Sequence, residues 1–400
     1  MKFNSTIGFK KLSTFTYSMN ASKISPTIGI LGGGQLGKML AQAGADWNLD
    51  ISVLDPTPDS PASCCAKQIL GNFRDYEAVL EFGRDKDLIT IEIEDVNLDA
   101  LRVLKGRGKK VYPDPDAVAL IQDKGLQKEF YSRHGFPTSE FILAANATEI
   151  LQLEEAGKLK IPFVQKLTKA GYDGRGVQIV NEITDLDNLF DAPSVIESLV
   201  NIKKEIAVLA ARNVSGEIIT YDPVEMIFHP TANLLLYQEC PAELDDTINT
   251  KAKSIAHELI SKLNIVGLLA VELFINQHDE ILINEVAPRP HNSGHHTIEA
   301  CSTSQFHQHW RAVLDLPLGS ADTLHHSILL NVLGESGYSG DAIYSGIDKC
   351  LALPGVYIHL YGKKQTKPFR KMGHVTIIGK DIDQVRDIAK EVSKTLKVIA

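Results

Sequence analysis

Cysteine is scarce in this chain. Five cysteines among 400 residues, at positions 64, 65, 240, 301 and 350, form neither a C-x-x-C pair nor an even framework. That excludes a disulfide-stapled secreted scaffold and points to a reducing compartment, taken here as the cytoplasm. The adjacent Cys64 and Cys65 read as small packing residues rather than a redox pair. Long apolar runs are missing as well. No uninterrupted stretch approaches the length needed to span a bilayer, so no membrane partner is expected. Basic runs are equally absent, and a formal net charge of −9 argues against nucleic acid as a partner. No internal repeat or low-complexity segment is visible.

What is present is an ordinary globular composition, 44% hydrophobic and 23% charged, long enough for two or three domains. Residues 1–26 stand apart. Met1 to Ser25 hold lysine, serine and threonine but no acid, as an organellar transit segment would, yet they lack arginine and an amphipathic period. They read as a disordered leader, or as an upstream start with Met19 the natural beginning.

The pattern from Thr27 onwards is α/β. A short β-rich run, Thr27 to Leu31, leads into Gly32-Gly33-Gly34-Gln35-Leu36-Gly37 and a helical stretch to Trp47. A second strand, Ile51 to Leu54, ends at Asp55. This is G-x-G-x-x-G after a strand, with an acid closing the next strand, as in a dinucleotide-binding unit. Any anion held by backbone N–H groups needs the same glycines, so a nicotinamide cofactor is one reading among several. A third strand, Leu88 to Glu94, brings Glu92 and Glu94 to its carboxyl end, where ligands of parallel sheets bind. Ala117 to His134 reads as one helix carrying Lys124 and Lys128, and Pro162 to Leu167 as a strand containing Lys166.

Two features carry the chemistry. The first is the loop Ala170-Gly171-Tyr172-Asp173-Gly174-Arg175-Gly176, between Lys166 and the strand Val177 to Val180. Its glycines allow close backbone approach and Arg175 offers a fork, which suits a phosphate cover unlike a Walker loop. The second is a predicted hairpin, Ala270 to Ile275 and Ile281 to Val286, which folded symmetrically sets Glu272 opposite Glu285. Like charges facing across a ladder are destabilising unless a cation sits between them, and carboxylates plus phosphate oxygens are what Mg²⁺ takes. The polar stretch Pro288 to Gly294 follows at once. Lysines, loop and carboxylates together imply a nucleoside triphosphate site with metal. Zinc on His291, His295 and His296 is a poorer reading beside those carboxylates.

These residues resemble the ATP-grasp superfamily and, within it, the N5-carboxyaminoimidazole ribonucleotide synthase family. The resemblance rests on G-G-G-Q-L-G-K-M-L at 32–40, T-I-E-I-E at 90–94 and Q-K-L-T-K-A-G-Y-D-G-R-G at 165–176. It continues with V-E-L-F at 271–274, N-E-V-A-P-R-P-H-N-S-G-H at 284–295 and K-P-F-R-K-M-G-H at 367–374. It implies an ATP-grasp fold with a doubly wound pre-ATP-grasp domain (27–127), a central ATP-grasp domain (128–315) and a small β-rich C-terminal domain (316–400). The implied activity is that of an ATP-dependent ligase. ATP would phosphorylate bicarbonate to carboxyphosphate, and the carbon would pass to the amine of 5-aminoimidazole ribonucleotide, in de novo purine biosynthesis.

Roles follow by the same resemblance. Lys124, Lys166, Ala170, Gly171, Gly174 and Gly176 would contact ATP phosphates, with Glu197, Ser198, Leu199 and Val200 at the adenine. Glu205 would hold the ribose, with His229 near it, and Glu272 and Glu285 would bind Mg²⁺ beside Asn284. Gln35, Leu36, Glu92, Asn292, Lys363, Arg370 and Lys371 would line the ribonucleotide and bicarbonate pockets. Tyr172, Asp173 and Arg175 would be catalytic, with Asp173 managing the amine proton under a loop that closes before transfer. A homodimer is implied, and a hand-off of product to a separate mutase. Three departures stand out: Lys367-Pro368-Phe369-Arg370-Lys371 where the family often has Arg-Pro-Gly-Arg-Lys, Lys124 where Arg is commoner, and Ala170 for the first loop glycine. Competing readings are a formate-dependent glycinamide ribonucleotide transformylase, an NAD-dependent dehydrogenase on Gly32–Gly37 and Asp55, and a non-catalytic nucleotide sensor.

Overall fold

The computed structural model describes residues 26–169, 176–228 and 235–400. Residues 1–25 of the leader therefore lie outside the described residues, and so do Ala170, Gly171, Tyr172, Asp173, Gly174, Arg175 and His229. Four strands of four to six residues and one of two build a five-stranded parallel sheet. Its spatial order is Lys67–Leu70, Asp50–Asp55, Thr27–Leu31, Leu88–Ile91, Lys110–Val111. Its three central strands are buried on both faces, as a parallel sheet covered on both sides requires, and the two edge strands are partly exposed. Helices Tyr76–Gly83 and Leu98–Gly106 cover one face through Phe82, Leu101 and Leu104. Helix Gln35–Ala45 covers the other through Leu36, Met39 and Leu40, sharing a core with Phe306, Trp310 and Tyr361 from the rest of the chain.

The strand expected to run to Glu94 stops at Ile91, leaving Glu92 and Glu94 in the loop beyond its carboxyl end. The single helix expected over 117–134 is two helices, Pro115–Gln122 and Lys124–His134. Asp123 divides them. Its extended backbone (φ −116°, ψ 107°) ends the first, and its carboxylate accepts from the N–H groups of Gly125 and Leu126 to cap the second. An Asp inside an apolar-periodic stretch carried this signal.

Residues 141–198 add a four-stranded antiparallel sheet, ordered Phe141–Ala144, Ser194–Ser198, Phe163–Leu167, Val177–Val180. Beside it runs a nine-stranded sheet in which Ile281–Ala287, Gly267–Asn276 and Ile202–Arg212 are neighbours. The same sheet continues through Val224–Phe228 and Leu235–Cys240 into His326–Leu333, Lys371–Gly379 and Val356–Leu360. One hydrogen-bonded surface thus joins the middle of the chain to its last part. On its core side Ile206, Val208, Val271 and Leu273 pack against helix Asp246–Lys262 through Ala256, Leu259 and Ile260. The opposite side of those central strands carries acids. Among the described residues no helix is long and apolar enough to cross a membrane.

Candidate active site

The hairpin of Gly267–Asn276 and Ile281–Ala287 does set Glu272 opposite Glu285. It does so through a bulge. From the turn, Ile275 pairs with Ile281 and Leu273 with Ile283, a register that carried one step further would oppose Glu272 to Asn284. The ladder shifts between Glu272 and Leu273, so that Asn284 is the extra residue and Glu285 takes the facing position. Ala207 lies opposite Glu272, and Glu205 opposite Phe274, on the neighbouring strand. Glu205, Glu272 and Glu285 therefore share one face across three strands. Burial raises the Glu272 carboxyl to about 8, and the negative charges of Glu285 and Glu205 add to the rise. Burial likewise raises Glu205 to about 7, with Lys166 pulling it back.

Cations stand opposite these acids. The ammonium of Lys124, first residue of its helix, is 3.3 Å from Glu285 Oε2. Lys166 donates to Asn284 Oδ1 at 3.0 Å and lies 3.0 Å from Glu197 Oε1. Glu197 ends up between two lysines, since Lys128 donates to its Oε2 at 2.9 Å. Burial pushes the Glu197 carboxyl up, but Lys166 and Lys128 together outweigh burial and bring it down to about 2. Ser198 and Leu199, just after Glu197, are exposed and Val200 is half-buried. Gly176 has φ +74°, the left-handed region, and its carbonyl accepts from Leu167 N–H at 2.9 Å where the loop rejoins the sheet.

The loop after the hairpin closes the site from the other side. Arg289 is 2.8 Å from Glu94 Oε2, which ties the hairpin to the first sheet. His291 Nδ1 accepts the Ser293 N–H, placing the ring proton on Nε2, 3.7 Å from Glu272 Oε1. Burial, with Arg289 and Lys371 nearby, lowers its pKa to about 3, so the ring is neutral. Asn292 donates to Asn331 Oδ1 at 3.3 Å. Lys371 lies within electrostatic reach of His291 and His295, and Lys363 donates to the Lys371 carbonyl at 2.9 Å. Arg370 donates instead to the Gln365 carbonyl at 2.7 Å. Phe369, where the family often has glycine, sits 62% exposed at φ +63°, a conformation that favours glycine and costs another residue about 1 kcal/mol.

The glycine turn is filled from inside. Gly34 and Gly37 donate their N–H groups to the two oxygens of Glu92, each at 2.8 Å, and Gly33 donates to Asp55 at 2.8 Å. A Cβ on Gly34 would come 2.7 Å from Glu92 Oε1, so the glycines serve the close approach of a carboxylate. The donors that a pyrophosphate would need already serve the chain's own acids, which removes the physical basis of the dehydrogenase reading. Gln35 and the buried Leu36 open the helix that follows.

Three family models match the chain in order. They are the ribonucleotide synthetase preATP-grasp domain over 25–122, the ATP-grasp domain over 129–306 and the phosphoribosylaminoimidazole carboxylase C-terminal domain over 327–388. The N5-carboxyaminoimidazole ribonucleotide synthase of Bacillus subtilis is 36% identical over 89% of this chain and 92% of its own length. The chain belongs to the N5-carboxyaminoimidazole ribonucleotide synthase family. Of the phosphoribosylaminoimidazole carboxylase of Saccharomyces cerevisiae, 38% identical, it spans 64%. The crystal structure of the Thermotoga maritima synthetase, 39% identical, superposes with a TM-score of 0.86 over 94% of this chain and 99% of that one. An Aspergillus clavatus synthase in complex with ADP and 5-aminoimidazole ribonucleotide is 32% identical, with a TM-score of 0.83 over 93% of this chain and 98% of that one.

Membership in this synthase family makes the chain an ATP-dependent ligase of ATP-grasp fold, and the transformylase alternative is not favoured. Within the candidate site the structure brings together Lys124, Lys166, Glu197, Glu205, Glu272, Asn284 and Glu285. Through Arg289 these reach the Glu92 turn, and through His291 they reach Lys371. Lys128, Thr138, Ser139 and Arg289 belong to this network without having been singled out as site residues. Lys128 follows Lys124 by four, one helical turn along the same face, a usable signal. Nothing in the sequence pairs Ser139 with Glu197.

Proposed function

We propose that this chain carboxylates 5-aminoimidazole ribonucleotide with ATP and bicarbonate, giving N5-carboxyaminoimidazole ribonucleotide for de novo purine biosynthesis. The observation that carries the reading is Glu272 facing Glu285, with Lys124 and Lys166 beside them, in a chain of this family. In the first step a bicarbonate oxygen bonds to the γ-phosphorus and the bond to the bridging oxygen breaks, releasing ADP and carboxyphosphate. Carboxyphosphate loses phosphate to yield CO₂, and the 5-amino nitrogen bonds to that carbon and gives up one proton.

Each residue has a physical part. Lys124 and Lys166 supply the positive charge that triphosphate oxygens need, exchanging Glu285 and Asn284 for them. Glu205, raised towards neutrality by burial, can donate or accept at a ribose hydroxyl. The segment 198–200 takes the adenine. The oxygen-only donors Glu272, Glu285 and Asn284 fit Mg²⁺, because burial and the facing charge of Glu285 leave the Glu272 carboxylate short of positive charge. When bound, the ion neutralises charge on the transferring phosphoryl group. Among the described residues no trio of His, Cys, Asp or Glu could hold an ion alone, so phosphate oxygens complete the set. Arg289, anchored by Glu94, and neutral His291 offer N–H groups for the bicarbonate oxygens. Gln35, Leu36, Asn292, Lys363, Arg370 and Lys371 keep the acceptor side, and Glu92 holds the glycine turn that leads into Gln35. Tyr172, Asp173 and Arg175 act at the transfer, Asp173 taking the amine proton.

The same reading holds the chain to the cytoplasm as a homodimer that passes its product to a separate mutase. Five cysteines without a disulfide are consistent with a reducing compartment. The deciding assay follows ADP release with aminoimidazole ribonucleotide plus bicarbonate, against glycinamide ribonucleotide plus formate. ADP should form with the first pair; release only with the second would overturn the proposal.

A further inference from the structure

One buried cation in the nucleotide cleft has no donor left for a nucleotide. Lys128 is 3% exposed, and its ammonium donates to Glu197 Oε2 at 2.9 Å, Thr138 Oγ1 at 2.6 Å and Ser139 Oγ at 2.9 Å. An ammonium has three N–H donors, and these three acceptors use them all. Lys128 is therefore not a phosphate ligand. Its partners nevertheless reach two sides of the cleft. Glu197 precedes the 198–200 segment and faces Lys166 through its other oxygen. Thr138 passes the contact on, donating to the Ile283 carbonyl at 3.1 Å, on the strand of Asn284 and Glu285. Ser139 locks the carboxylate by donating to Glu197 Oε2 at 2.5 Å.

We propose that Lys128 is a positioning residue for ATP, holding Glu197 so that Lys166 stays available to the triphosphate. The charge count explains the need. A single buried carboxylate between two ammonium groups leaves one positive charge in excess, and that surplus is what attracts phosphate. Without Lys128, Glu197 has Lys166 as its only counter-ion, the pair becomes neutral, and the excess is gone. The buried carboxylate would then bind Lys166 more firmly, because an unpaired charge in that position is costly. Burial already works against the Lys128 charge, lowering its pKa to about 8, so a lysine there is a cost that the neighbouring carboxylate offsets.

This inference rests on the ATP reading above, so its test measures nucleotide binding directly and needs no acceptor. MgADP is titrated calorimetrically into wild type, Lys128→Met and Lys128→Arg. The Met variant, which keeps the apolar stem and loses the charge, should bind MgADP about tenfold more weakly, a loss of roughly 1.4 kcal/mol. The Arg variant, which keeps the charge beside Glu197, should stay within about threefold of wild type. A purely structural role predicts the opposite, with the bulkier arginine disturbing the buried site more than methionine does. Unchanged affinity in Lys128→Met, or an Arg variant no better than the Met one, overturns the proposal. If Lys128→Met does not fold, Ser139→Ala carries the same test through the same carboxylate, with a smaller loss expected and none counting against the proposal. A wild type that binds MgADP but turns over no aminoimidazole ribonucleotide would sink the proposed reaction and leave this inference standing.

Discussion

At the scale of single residues, the site is a set of charges placed where they would not choose to be. Glu272 and Glu285 face each other, and Lys124 lies 3.3 Å from the more exposed of the two. Replacing Glu285 by Gln removes repulsion within the hairpin and one exposed ion pair, which is worth little. The variant should melt at or slightly above the wild-type temperature. It should also lose turnover by roughly two to three orders of magnitude, since metal stabilisation of a transferring phosphoryl is worth several kcal/mol. Calorimetric melting and ADP release measure the two halves, and near-normal activity would refute the metal role. Glu92 teaches a related lesson. An acid at the end of a strand suggests a ligand contact, whereas both its oxygens receive N–H groups from the turn beside it.

At the scale of elements, helix Lys124–His134 delivers both Lys124 and Lys128, and its start depends on one side chain. Asp123 accepts from Gly125 and Leu126 at 2.9 and 3.1 Å. Asp123→Ala should lower stability by about 1 kcal/mol, the usual cost of an N-cap, and should loosen the first turn. Because Lys124 is in that turn, the KM for ATP should rise several-fold while the KM for the ribonucleotide stays near wild type. A chemical denaturation curve and initial-rate kinetics would show it; equal changes in both KM values would contradict it. The hairpin is the second decisive element. Its two strands and its turn are plain in the alternation of Leu273, Ile275, Ile281 and Ile283, but the bulge at Asn284 is not. Apolar patterning records which face is buried and is blind to one extra residue on a strand, yet that residue decides whether Glu272 faces an amide or a carboxylate.

For the whole molecule, histidines buried without charge set the response to acid. His309 is fully buried, its Nε2 shares Thr90 Oγ1 at 2.9 Å, and burial lowers its pKa to about 3. His296 is lowered to about 4 by burial, against the pull of the Ser293 carbonyl and Asp222. His295 and His374, stacked with ring centroids 4.6 Å apart, are both driven well below the ordinary range by burial. A histidine with a depressed folded pKa stays neutral in the native state but takes up a proton when unfolded, below about pH 6.5. Stability is therefore complete above that pH and falls as pH drops towards the folded values. The melting temperature should decline steadily from pH 7 to pH 5, before most carboxylates titrate. His309→Gln, which can keep the Thr90 bond, should show a shallower decline; an identical slope would exclude His309 from the effect.

The chain alone determined the order of its parts, because helices and strands follow from local apolar period and short-range signals. Thr27–Leu31, Phe163–Leu167 and the hairpin all fall where alternation placed them. It also put Glu272 and Glu285 on the two strands of one hairpin, each an acid beside an apolar neighbour. The tertiary structure decided what each charged group faces. Glu94 meets Arg289, Ser139 meets Glu197, and Glu92 fills the glycine turn, pairs separated by 195, 58 and 55 or more residues. Contacts of that kind have no local cause. They exist because sheets built from distant segments pack into one cleft, and a buried polar group must find its partner there.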